Sequence, residues 1–112
     1  MFTGGRIATC AIVDLEVLRL ARNATEHEEI WLERQLLPRA PVTETATDRA
    51  MDVQGELCAG GFHRRVPLTD LIIAASAEQQ GLTVLHYDRD YDFIAEVTGQ
   101  PMEWVVPRGT VP

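Results

Sequence analysis

The chain has 112 residues, 46% of them hydrophobic and 24% charged, with 17 acidic against 10 basic side chains and a formal net charge of −7. That length suits one domain with a modest core, so a single domain over residues 1–112 is expected. An acidic total excludes a protein that grips nucleic acid through a broad basic surface, so any chemistry on such a substrate must be local.

In chain order, Ile7 to Ile12 is a short apolar run with β-branched residues after a Gly-Gly turn signal, and predicts a buried strand. Val13 to about Arg22 has helical spacing, with Val13, Val17, Leu20 and Ala21 on the core face. A second helix is predicted over Glu26 to Leu37, then a brief strand near Val42 after Pro38 and Pro41. Glu44 to Cys58 predicts a helix closed by Gly60-Gly61. The next helix should start around Pro67 and end at Gly81, with Leu71, Ile72 and Ala75 on its core face. Leu82 to Tyr87 predicts a strand, Tyr91 to Val97 a short helix, and Met102 to Val106 a closing strand. Strands alternating with helices point to an α/β domain with a mainly parallel sheet and helices on both faces.

Cys10 and Cys58 are isolated thiols, with neither the pairing of a zinc site nor the density of a secreted disulfide scaffold, so a reduced, cytoplasmic protein is expected. The N-terminus lacks the basic start and apolar core of a signal peptide, and the longest apolar run, Leu71 to Ala75, is far too short to span a bilayer. No membrane association is expected.

Open parallel sheets bind ligands beyond the carboxyl ends of their strands, and here those positions are acidic. Asp14 and Glu16 follow the first strand, while Asp88, Asp90 and Asp92 follow the Leu82 to Tyr87 strand. Asp70 adds a carboxylate in the first turn of the intervening helix. At about 100° per residue, Glu16 borders the Val13, Val17 and Leu20 stripe and Asp14 points to the far side, so Glu16 is expected to line a cleft and Asp14 to meet solvent. Each acid alone has a plainer role: Glu16 as partner of Arg19, Asp70 and Thr69 as helix caps, the Asp88 to Asp92 run as a turn. Converging carboxylates repel one another unless a cation neutralises them, and magnesium, with its preference for oxygen ligands, suits that task. The Asp88-x-Asp90-x-Asp92 spacing is not an EF-hand, because Phe93 and Gly99 stand where the loop needs glycine and glutamate.

The segments Val66-Pro-Leu-Thr-Asp70-Leu-Ile-Ile-Ala-Ala, Gly81-Leu-Thr-Val-Leu-His-Tyr-Asp88-Arg-Asp90-Tyr and Met102-Glu-Trp-Val-Val together resemble the C-terminal half of a PIN-domain toxin of the VapC ribonuclease family. Upstream, Val13-Asp-Leu-Glu16-Val-Leu resembles the family's second acidic motif, and Gly61-Phe-His-Arg the segment before the third. The resemblance implies a small α/β fold, RNA cleavage with Mg2+ or Mn2+, and inhibition by a cognate antitoxin. It implies Glu16, Asp70 and Asp88 as catalytic, metal-coordinating acids and Asp90 as a supporting metal ligand. Arg64 and Arg65 are expected to meet substrate phosphates, and a homodimer is the expected assembly.

One departure stands out. Family members begin with an apolar strand that ends in an aspartate, and Phe2 to Arg6 does not supply it, so the fold is expected to be N-terminally incomplete. In-frame coding sequence for that strand is expected upstream of the start codon. The rival expectation is a catalytically inactive remnant that binds an antitoxin or dimerises.

Overall fold

The computed structural model describes residues 2–3, 6–86 and 89–104. Strands β1 (Phe2–Thr3) and β2 (Arg6–Ile7) pair antiparallel, with Phe2 opposite Ile7 and Thr3 opposite Arg6. The helices are α1 (Ala11–Leu18), α2 (Ala24–Gln35), α3 (Glu44–Ala59), α4 (Leu68–Gln79) and α5 (Asp90–Thr98). Strands β3 (Val84–His86) and β4 (Met102–Trp104) flank α5 and pair in parallel, Val84 opposite Met102 and His86 opposite Trp104.

The predicted strand over Ile7 to Ile12 is much shorter in the structure. Thr9 makes only a parallel bridge to Arg39, accepting from Ala40 N at 2.7 Å and donating to Pro38 O at 2.8 Å. Helix α1 starts at Ala11, behind the extended Cys10, and ends that ladder. The strand expected near Val42 likewise falls earlier, at Arg39. Among the described residues, the strands form two separate pairs rather than one sheet, and one pair is antiparallel.

The core is built mainly by α3 and α4. Thr43 caps α3 by accepting from Ala46 N at 3.1 Å, and satisfies one of the free N–H groups of the first turn. Ala46, Ala50, Val53 and Leu57 recur at four- and three-residue steps and are all buried, as an amphipathic helix requires. Helix α4 is buried nearly all round, through Leu71, Ile73, Ala74, Ala75, Ser76 and Ala77. Pro67 precedes its first residue, and Gly81 at φ +68° turns the chain towards β3. Tyr91 and Ile94 of α5 close the core from the other side. An ion pair at 2.8 Å between Arg49 and Glu78 ties α3 to α4, and Gln100 Nε2 donates to Ala74 O at 2.9 Å, which fastens the end of α5 to the same helix.

Helices α1 and α2 form a hairpin at the margin of this core. Leu20, expected on a buried stripe, is 76% exposed because α1 stops at Leu18. Ile12 and Val13 are the α1 residues that reach the core, and no residue of α2 is buried.

Candidate functional site

Asp70 occupies the first turn of α4, its N–H donating to Pro67 O at 3.1 Å, and is buried. Asp90 and Asp92 occupy the first turn of α5, which packs on α4. Both helix starts present partial positive charge, which favours carboxylates there even without another cation. Asp88 lies outside the described residues, two positions before Asp90. Among the described residues, no group of three or more His, Cys, Asp and Glu side chains is gathered closely enough to hold a metal ion.

The acids of α1 are reversed relative to expectation. Asp14 is 4% exposed, whereas Glu16 faces solvent. Asp14 Oδ1 accepts from Arg34 Nε at 2.8 Å and from Thr9 Oγ1 at 2.9 Å, and Oδ2 pairs with Arg39 Nη2 at 2.8 Å. Arg34 Nη2 also donates to Thr9 Oγ1 at 2.8 Å, so the three side chains close a ring. Burial alone pushes the Asp14 carboxyl up, but the hydrogen bonds from Arg34 and Thr9 and the charges of both arginines outweigh it and hold it below the usual carboxylate range. Leu15, Leu18 and Trp31 surround the mouth of this cluster, a cavity of about 240 Å³ that Asp14, Arg34 and Arg39 also line.

Helical periodicity did not find Asp14, because α1 is apolar on almost every side and offers no single stripe to orient it. The two arginines that bury Asp14 come from α2 and the segment beyond it, which α1 alone does not reveal. Glu16 remains three residues after Val13 and four after Ile12, on the side of α1 that meets the core, yet open to solvent.

The segment between α3 and α4 carries Arg64 and Arg65, both exposed. The Arg65 guanidinium lies over the Phe93 ring, 5.2 Å from its centroid. Phe93 in turn stacks on Phe62, centroids 5.0 Å apart. His86 and Tyr91 make a further ring contact at 5.0 Å, between the end of β3 and the start of α5.

Comparison with known proteins places these features in a family. The profile of the PIN domain matches residues 2–97. Ribonuclease VapC18 of Mycobacterium tuberculosis is 47% identical over 108 residues, which covers 95% of this chain and 79% of that protein. Ribonuclease VapC21 of the same species is 44% identical over 107 residues, covering 95% of this chain and 78% of the relative. Among solved structures, a member of the VapBC toxin-antitoxin family from M. tuberculosis, VapBC-5, superposes with a TM-score of 0.62 at 24% identity, over 89% of this chain and 81% of that one. At that identity the likeness speaks for the fold.

Proposed function

The chain belongs to the PIN-domain family, among the VapC ribonucleases, and from that premise we propose that it is a metal-dependent endoribonuclease, the toxin of a toxin-antitoxin pair. The observation that carries this reading is the identity to VapC ribonucleases along nearly the whole chain. The single domain over residues 1–112 and a mainly parallel sheet with helices on both faces belong to the same reading, supported by the parallel pairing of β3 with β4 and of Thr9 with Arg39.

We assign Glu16, Asp70 and Asp88 as the acids of the site and Asp90 as a supporting ligand. The donor chemistry fits a hard divalent cation: Asp70 is a buried carboxylate at the start of α4, and Asp90 is a half-buried one at the start of α5. Such an ion, magnesium or manganese, supplies positive charge to the non-bridging oxygens of a phosphodiester as negative charge builds in the transition state. The protein's own contribution is to hold Asp70 and Asp90 in the first turns of α4 and α5, with Arg64 and Arg65, which we assign to substrate phosphates, in the segment that leads into α4. Arg65 retains N–H edges for that task while its flat face rests on Phe93.

A cognate antitoxin is the partner this reading implies. The α1–α2 hairpin exposes Leu15 at 62%, Trp31 at 46%, Leu32 at 55% and Leu36 at 84%, apolar surface of the sort that a partner covers. A homodimer and a cytoplasmic setting complete the proposal. Among the described residues, no helix is long and apolar enough to cross a membrane.

The test is cleavage of single-stranded RNA by the purified chain with magnesium or manganese. Activity that vanishes with chelator, and in both Asp70→Asn and Asp88→Asn, supports the reading. Undiminished cleavage by both variants in chelator overturns the metal mechanism. For the partner, co-expression with the neighbouring small reading frame should give a complex that survives purification, and separation at every salt concentration counts against the antitoxin.

A further inference from the structure

Phe62 follows the Gly60-Gly61 pair that ends α3, and its ring stacks on Phe93 with an interplanar angle of 23°. Phe93 packs against the core, whereas Phe62 is 38% exposed. A phenylalanine that served folding alone would gain from fuller burial, at about 25 cal/mol per Å² of apolar surface. Phe62 instead sits on an aromatic base with part of its surface open. Gly60 contributes to this arrangement, since a Cβ there would come within 3.2 Å of Phe62 Cδ2 and crowd the ring.

The stacked pair reaches the first turns of α5, where Asp90 lies. Phe93 comes three residues after Asp90, on the same face of α5. Phe62 O accepts from Arg65 N at 3.1 Å, a turn that leads through Val66 and Pro67 directly into the α4 turn carrying Asp70. Arg64 and Arg65 lie between. The Phe62–Phe93 stack and the Arg65 guanidinium over Phe93 thus join the segment that enters α4 to the first turns of α5.

We propose that Phe62 is a stacking platform for one nucleobase of a single-stranded RNA, with Arg64 and Arg65 taking an adjoining phosphate; this rests on the ribonuclease reading. The charge of the chain strengthens the argument. At a net −7 the protein has no field that attracts a polyanion, and its acids repel phosphate locally. Base stacking on an aromatic face does not depend on charge, and single-stranded RNA leaves its bases free for it. A nuclease of this charge gains from holding a base as well as a phosphate, and Phe62 is an exposed ring backed by Phe93, which lies one turn after Asp90 on α5.

The experiment uses the full chain carrying Asp70→Asn, in which cleavage is expected to be lost, and single-stranded oligonucleotides with 2-aminopurine at successive positions. Fluorescence should be quenched at one position, the mark of a stacked base. Phe62→Leu, folded by circular dichroism, should abolish the quench and weaken binding roughly tenfold, and Phe62→Trp should restore both. Ultraviolet cross-linking of the same chain with Phe62 intact gives a reading without touching the ring: the adduct peptide should contain Phe62. Binding and quench unaffected by Phe62→Leu, or adducts confined to other peptides, overturn the inference and leave the ribonuclease reading standing. If the unsubstituted chain neither binds nor cleaves RNA under any metal condition, both fall together.

Discussion

Asp14 of α1 and Arg34 of α2 stand 20 positions apart in the chain and 2.8 Å apart in space, with Thr9 bonded to both. This contact joins α1, α2 and the Thr9 segment at a point where α2 contributes no buried residue of its own. Removing the charge of Asp14 leaves Arg34, 20% exposed at its side chain, without its anion. Asp14→Asn should therefore cost about 2–4 kcal/mol, read as a lower urea midpoint. Arg39→Ala should cost under about 1 kcal/mol, since that side chain is 43% exposed.

The pH dependence of this contribution has a defined sign. The native carboxyl of Asp14 lies below its ordinary value of 3.8, so on acidification the unfolded chain takes up the proton first. The stabilisation is complete above the unfolded value and fades as pH falls through the native one. The gap in urea midpoint between the unsubstituted chain and Asp14→Asn should be constant from about pH 5 to 7 and shrink below about pH 4. A gap that widens on acidification contradicts this sign.

Glu16 and Asp14 should separate stability from activity. Glu16 is exposed, so Glu16→Gln should leave the urea midpoint within about 0.5 kcal/mol of the unsubstituted chain. As an acid of the site it should lower kcat/KM for RNA by about tenfold or more. Equal cleavage by the two proteins removes Glu16 from the site.

Two glycines should respond in opposite directions to alanine. Gly55 lies inside α3, exposed, with nothing within 4 Å of an added Cβ, so Gly55→Ala should stabilise by about 0.5–1 kcal/mol through helix propensity. Gly99 follows α5 in the left-handed region at φ +69°, where alanine is strained, and Gly99→Ala should destabilise by about 1 kcal/mol. Thermal melts of both variants at one pH settle the pair.

The elements whose limits are set by near neighbours in α3, α4 and α5 were legible in the chain alone, whereas the short strand and helix limits between Ile7 and Arg22 were not. The α3 stripe, its glycine stop, the Pro67 to Gly81 limits of α4 and the α5 segment were legible because capping and periodicity are local. Asp70 was legible as an acid in the first turn of a predicted helix and Asp90 as an acid following a predicted strand, and the motifs around them carried the family resemblance. Tertiary structure alone decided which acid of α1 is buried. The partners of Asp14 arrive from Arg34 and Arg39, and a helix apolar on most sides has no preferred face until other elements pack on it. It also decided that Leu20 is exposed, since burial depends on where the helix ends and what lies beyond. The pairing of Phe62 with Phe93 is of the same kind: they lie 31 positions apart, and only the packing of α5 beside the end of α3 brings the two rings face to face.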